Sequence, residues 1–270
     1  MKRILITGGA SGLGKALAQK YATQGYDVCI ADINQADGEA LAEELSKHYG
    51  TDCFFHTLDV TSEEQWQAIQ QAIGERWKGL DILVNNAGVA SSGDIDQLPM
   101  DDFQWTLDVN VMGVAKGCYT FAPMIKKSEG SIVNVASIAG LIHMSSMSAY
   151  NTSKAAVVAL SETLLTELAP FNVGVSVVCP AFFKTNLTST MRATHEGGVK
   201  IASKLMERSN IQADDVARIV FQGVSSKRFY VVTHPKETWM WRLKRFVPAL
   251  YFTYMKRAAK KFHKKMNNGE

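Results

Sequence analysis

Four cysteines in 270 residues are few, and Cys29, Cys53, Cys118 and Cys179 stand far apart, three of them inside apolar strand-like runs. That argues against a disulfide framework or a thiolate zinc site and for small buried hydrophobes in a reducing, cytoplasmic compartment. None of the six histidines stands at metal-ligand spacing from another, so no metal is expected. No apolar run approaches the ~20 residues needed to span a bilayer. Met1-Lys2-Arg3 is followed only by the short run ILIT, with no small-residue cleavage site after it, which does not make a signal peptide. Internal repeats and low-complexity linkers are also missing, which excludes a solenoid.

What is present is an alternation. Short β-branched-rich runs at 3–7, 27–31, 52–56, 80–84, 131–136 and 173–178 read as strands buried on both faces. Amphipathic helical patterns at 13–24, 35–48, 62–77, 101–126 and 149–169 lie between them. Such alternation predicts βαβ units and a parallel sheet covered by helices on both sides. With 46% apolar and 20% charged residues, the chain is globular and long enough for a large core. The net charge of +3 hides an asymmetry: residues 239–270 carry nine Lys or Arg against the single acid Glu270, leaving 20 bases and 25 acids elsewhere. An acidic body with a basic tail suggests an anionic partner for the tail.

The first strand runs into TGGASGLG, residues 7–14, and then into a helix. Glycines there permit a tight turn and close approach of backbone to a ligand, and the free N–H groups of the helix N-terminus suit a pyrophosphate. Asp32 closes the second strand about twenty residues on, where an acid accepts ribose hydroxyls and repels a 2′-phosphate. No base occurs between Gly8 and Gly14, and Ile33 and Asn34 follow Asp32, so NAD(H) is expected in preference to NADP(H), with NADP(H) still admitted. Asp32 as a plain helix cap is the simpler alternative. Asp59, after the third strand, suits adenine contact or a helix N-terminus equally well.

TGGASGLG at 7–14, Asp59, NNAG at 85–88, Asn110, Ser137 and Tyr150-x-x-x-Lys154 stand in one order and spacing. In that set the chain resembles the short-chain dehydrogenase/reductase family over about residues 1–232. The resemblance implies a single Rossmann-type doubly wound α/β domain with a seven-stranded parallel sheet, over residues 1–235. Residues 236–270 are then a basic amphipathic extension. It implies nicotinamide-dependent carbonyl/alcohol chemistry with Asn110, Ser137, Tyr150 and Lys154 as the catalytic set. Cofactor contacts are implied for Gly8, Ser11, Gly12, Leu13, Gly14, Asp32, Asp59, Val60, Asn86, Ala87, Gly88, Tyr150, Lys154, Pro180 and Thr185.

The residues support that chemistry on their own terms. Tyr150 and Lys154, at i and i+4, share a helix face. A nearby ammonium, together with the positive charge of oxidised nicotinamide, is expected to lower the phenol from its ordinary value near ~10 toward the working pH. Ser137 would hydrogen-bond the substrate oxygen. By resemblance, Lys154 also binds nicotinamide-ribose hydroxyls and Asn110 holds a water leading from Lys154 to solvent. After the sixth strand the family has Pro-Gly; here PAFFKT keeps Pro180 and Thr185 but puts Ala181 in the glycine's place, which puts the loop's conformation in question.

The pocket segments 138–149 and 186–209 bring Met144, Met147, Leu187 and Met191, with few charges before Arg192. These soft side chains suit an apolar carbonyl or alcohol, lipid-like, steroid-like or of medium to long chain, or else they are lid packing. His143 and His195 read as bystanders. A non-catalytic NAD(H) sensor and nucleic-acid binding through the tail are the competing functions; the intact Asn-Ser-Tyr-Lys set weighs against the first and the acidic body against the second. The many-sided apolar helix 149–169 predicts a homodimer or homotetramer. In residues 239–266, Leu243, Phe246, Val247, Leu250, Tyr254, Ala258 and Phe262 recur at helical spacing, with bases mostly opposite and a break expected at Pro248. That segment suits peripheral contact with an anionic membrane, or else packing on the body or on a second subunit beside the pocket mouth.

Overall fold

The computed structural model describes residues 2–184, 190–195, 199, 203–204 and 206–267, with side chains to residue 260. In chain order the elements are β1 (Arg3–Thr7), α1 (Gly12–Ala22), β2 (Asp27–Asp32), α2 (Gln35–Tyr49), β3 (Phe54–Thr57), α3 (Glu63–Trp77) and β4 (Ile82–Asn85). There follow a short β5 (Ser91–Ser92), α4 (Met100–Leu107), a π-helical turn (Asp108–Met112), α5 (Gly113–Ser128), β6 (Ser131–Val135), α6 (Ser148–Leu168) and β7 (Gly174–Cys179). Last come β8 (Arg192–Ala193), α7 (Ala213–Ser225), β9 (Tyr230–Val232), α8 (Pro235–Phe246) and α9 (Pro248–Asn267).

The main sheet has seven parallel strands in the order β3-β2-β1-β4-β6-β7-β9. Chain progress reverses direction between β1 and β4, which opens a crevice at the carboxyl ends of those strands. The continuous apolar runs are explained by burial on both faces. Along β1, Leu5 faces one core while Ile4 and Ile6 face the other. Cys29, Leu83, Ile132 and Val175 join Leu5 under α3, α5 and α6, with Trp66, Ile73, Phe121 and Val157 above them. Val28, Ile82, Val133 and Val178 lie on the opposite face under α1, α2 and α7, against Leu17, Leu45 and Val220. The period-2 alternation of strands thus fills two separate cores.

Three sequence expectations are amended. The third strand pairs only from Phe54, because Asp52 turns its carboxylate to the indole N–H of Trp77 (2.8 Å) and to Arg76. The pattern over 101–126 is not one α-helix; the π turn at 108–112 interrupts it. The tail breaks at Pro248 as expected, but its apolar residues do not form one stripe. Leu243 packs inward with Met240, Trp241, Tyr251 and Met255, whereas Phe246, Val247, Leu250 and Tyr254 face outward. No described helix is long and apolar enough to cross a membrane.

Candidate active site

The glycine-rich turn joins β1 to α1 at the crevice, and its geometry excludes side chains. A Cβ on Gly14 would lie 2.0 Å from the Gly8 carbonyl oxygen, and one on Gly8, whose φ is +61°, would lie 2.9 Å from the Cα of Ala87. Asn86 ties the end of β4 to this turn by donating its side-chain amide to the carbonyls of Thr7 (2.9 Å) and Gly8 (3.1 Å). The Thr7 hydroxyl oxygen accepts the backbone N–H groups of Asn86 and Ala87, each at 3.0 Å. Asp32 is held beside the turn: its carboxylate accepts the N–H of Ala10 and of Asn34, each at 3.0 Å. It caps nothing further along α2; Asn34 is the N-cap of that helix.

Asp59 stands one residue past the β2–β3 pairing, where Leu58 N–H donates to the Asp32 carbonyl at 3.0 Å. Its carboxylate accepts both the N–H (2.8 Å) and the hydroxyl (2.7 Å) of Thr61, shaping the entry to α3, which favours the helix-entry reading of this residue. Val60 is buried, and its carbonyl accepts the indole N–H of Trp66 at 3.0 Å. A cavity of about 310 Å³ opens beside Ala10, Ser11 and Gly12 and is walled by Lys15, Asp37 and Glu44. Sequence reasoning missed Lys15. Its signal was its place in the first turn of α1, directly after the last glycine. Leu13 lies on the buried side of that helix. A larger cavity of about 540 Å³ lies at Thr61, Trp105, Met112 and Lys116 and holds none of the expected catalytic residues.

Across β4, the segments after β4, β6 and β7 converge with α6 and the π turn. Tyr150 and Lys154 are both buried on α6. The Lys154 ammonium donates to the Val135 carbonyl at 3.0 Å and lies 5.9 Å from the Tyr150 ring centre. Burial pushes the Tyr150 phenol above its ordinary value, and the Ser137 hydroxyl opposes that shift. Burial also pushes Lys154 down to about 8. The expected lowering of the phenol by Lys154 is therefore not what the protein supplies alone, because desolvation outweighs it. Ser137, just past β6, accepts the Ala139 N–H at 3.1 Å and lies 3.4 Å from the Pro180 carbonyl, to which it donates.

Asn110 is wholly buried on the π turn. Its amide donates to the Val89 carbonyl (2.9 Å) and the Ser153 hydroxyl (3.0 Å), and its oxygen accepts the Val89 N–H at 2.8 Å. It pins the strand-end loop onto α6, and Ser153 is a partner the sequence did not reveal. A Cβ on Gly88 would meet the Asn110 side-chain oxygen at 3.0 Å and the Lys154 ammonium at 3.3 Å, so only glycine keeps that approach open.

After β7, Pro180 keeps its place, and Ala181 is accommodated: its φ is not among the positive ones, and its N–H donates to His234 Nδ1 at 3.3 Å. The opposite ring nitrogen of His234 then donates to the Phe182 carbonyl at 3.2 Å. Thr185 and Leu187 lie outside the described residues. Met147 and Met191 pack against Tyr150, Ala90 and Ala139 at the outer end of the site. Arg192, in the strand pair β5–β8, stacks 3.9 Å over Trp105 and meets Asp102 at 2.8 Å, which clamps the returning loop. His143 and His195 are held away from the reacting centre by the Ala139 carbonyl (2.8 Å) and Gln97 (2.9 Å).

A turn that excludes side chains, a carboxylate at the end of β2 and a Tyr–Lys pair across one crevice fit a nicotinamide dinucleotide. The family model for short chain dehydrogenases matches residues 2–196. The chain belongs to the short-chain dehydrogenase/reductase family. It is 36% identical over 196 residues to the trans-4-hydroxycyclohexanecarboxylate dehydrogenase of Sinomonas cyclohexanicum, covering 71% of this chain and 76% of that one. It is 38% identical over 160 residues to a 3-beta-hydroxysteroid dehydrogenase of Comamonas testosteroni, covering 59% and 61%. A short-chain dehydrogenase/reductase from Burkholderia phymatum, solved in complex with NAD, superposes with a TM-score of 0.87 at 33% identity over 92% of this chain and 94% of that one. This short-chain dehydrogenase/reductase is thus an NAD(P)-dependent oxidoreductase acting on CH–OH groups.

Proposed function

We propose that the enzyme interconverts an apolar alcohol and its carbonyl, with NAD(H) preferred and Tyr150 moving the proton. The observation that carries this reading is the buried Tyr150 with Ser137 beside it, Lys154 one turn away, and Met147 and Met191 closing the outer side. The bound nicotinamide accepts or supplies the hydride. In oxidation Tyr150 takes the hydroxyl proton as hydride leaves the carbinol carbon; in reduction it returns that proton to the carbonyl oxygen. Ser137 hydrogen-bonds the same oxygen and stabilises the charge it develops. Lys154 holds the nicotinamide-ribose hydroxyls and the field around the phenol. Positive charge arriving with the oxidised cofactor would then bring Tyr150 down from its raised resting value.

Asn110 acts through position: with its amide and oxygen engaged by Val89 and Ser153, it holds the loop after β4 against α6. Asp32 takes the adenosine ribose, since its carboxylate already sits beside the glycine turn. Residues 1–235 form the catalytic body and 236–270 its extension. The hydroxysteroid relative supports an apolar substrate, and the methionines at the outer end fit one. A screen of ketones, aldehydes and alcohols of increasing chain and ring size, with NADH and NAD⁺, tests this. Rising kcat/KM with apolar bulk is expected; turnover confined to small, charged substrates overturns it.

Two copies are expected to pair through α5 and α6. Tyr119 on α5 is 85% exposed, and Met112 and Leu165 beside these helices are also exposed. A monomeric mass throughout the micromolar range would refute the pairing.

A further inference from the structure

We propose that the outward side of α8 and α9 docks on a bilayer of anionic lipid. The extension divides its residues between two sides. On the inner side, Tyr251 is buried in the core that lies under α3, α5 and α6, with Met240, Leu243 and Met255 packed against it. The Lys244 ammonium donates to the Leu141 carbonyl at 2.7 Å, and the Trp241 ring stacks 4.8 Å from Tyr230. These contacts fix the two helices to the body.

The outer side is uncovered. Phe246, Val247, Pro248, Ala249 and Leu250 are five consecutive apolar residues, all exposed, with Phe246 at 76% and Leu250 at 57%. Trp239, one face-turn earlier on α8, is 63% exposed. Apolar runs left in water at this length mark an interaction surface.

Charge selects the occupant. Arg242, Arg245, Lys256, Arg257 and Lys260 are exposed around the apolar run, and no acid occurs between Glu237 and Glu270. The ion pairs among the described residues lie elsewhere, on Arg3, Arg76, Arg192 and Arg218. A second copy meeting this face with its own would oppose like charges. Anionic headgroups supply the complement, while Trp, Phe and Leu enter the acyl boundary. With no helix long enough to span, the segment lies in the interface.

The bond from Lys244 to Leu141 places this surface on the segment that follows Ser137, so docking sets the substrate side of the site against the bilayer. That consequence rests on the apolar-substrate reading; the docking does not, and its test needs no turnover.

The full-length protein is sedimented with vesicles of phosphatidylcholine alone and of phosphatidylcholine with phosphatidylglycerol, at low and high salt. Sedimentation with the anionic vesicles, weakened by salt, is expected. Phe246→Asp with Leu250→Asp should abolish it. Arg242→Glu and Arg257→Glu should each lower the partition coefficient about fivefold or more. NADH affinity and melting temperature, read without lipid, should match the parent in all variants. The proposal is overturned if anionic vesicles recruit no protein at low salt, or recruit the variants as well as the parent. It is also overturned if the Phe246→Asp, Leu250→Asp pair instead lowers the oligomeric mass in lipid-free solution, which assigns the face to a second copy.

Discussion

At the nucleotide end of the crevice the site is made of backbone and missing atoms, whereas at the substrate end it is made of long side chains. Gly8, Gly14 and Gly88 leave space that a single Cβ would fill, and Thr7, Asn86 and Asp32 hold that space by short hydrogen bonds. Met147, Met191 and Arg192 shape the other end by packing and stacking. The difference follows from what each end must recognise. A dinucleotide of fixed shape is best gripped by rigid geometry, and a residue there is either right or excluded. An apolar substrate is gripped by volume, which many side chains supply interchangeably.

The centre between the two ends gives the largest expected effect. Tyr150→Phe removes only the hydroxyl, so kcat should fall by ~10²–10⁴ while NADH binding stays at the parent value. More than a tenth of the activity surviving would show that another group moves the proton. Next is the rigid end: Asp32→Ala should weaken NADH about tenfold, the loss of hydrogen bonds to a charged acceptor, and leave NADPH little changed. Fluorescence titrations of both cofactors at one ionic strength check this; tighter NADPH than NADH binding in the parent would refute the preference itself.

Lys154 gives a stability difference between the two protonation states of one buried group. Held at about 8 against an ordinary 10.5, it is charged in both folded and unfolded chains below pH 8, and the fold then bears the full cost of a buried ammonium. Between about 8 and 10.5 the unfolded chain binds the extra proton, so this cost fades and the group's contribution to stability rises with pH. Lys154→Met escapes the cost. Its advantage over the parent should reach up to about 3 kcal/mol below pH 8 and shrink toward pH 10.5, as read by denaturant unfolding at several pH values. A gap independent of pH would mean the ammonium is better solvated than its burial indicates.

The smallest effect belongs to the soft end. Met191→Ala should raise KM for bulky apolar substrates a few-fold with kcat nearly unchanged, whereas a loss in kcat would mean the methionine also orients the reacting carbon.

The same contrast explains what the sequence made legible. Strands buried on both faces announce themselves as unbroken apolar runs, so six of the seven were located within about two residues. The seventh, Tyr230–Val232, is three residues long with α7 before it, and only the family resemblance implied it. Glycine spacing and Tyr150/Lys154 spacing are sequence-local and could be read directly. The bonds from Asn110 to Ser153, from Ala181 to His234 and from Lys244 to Leu141 join positions 43, 53 and 103 residues apart, and no periodicity reports such pairs. The sidedness of the tail was misjudged for a related reason: helical spacing shows that a stripe exists, but only the body decides which residues it covers.

The π turn at Asp108–Met112 carries a further consequence, for insertions and deletions. It holds one residue more per turn than the helices on either side of it, and Asn110 rides on that surplus. Removing one residue anywhere within it would let the chain from Met100 to Ser128 close into one ordinary helix. Everything after the deletion would then turn by about 100° relative to what precedes it. Val114, Cys118 and Phe121 would swing off the core they now fill, and Tyr119 would no longer face outward. A family of length variants can therefore be tolerated in the loops of this molecule, but here the reading frame of the fold is a single residue wide.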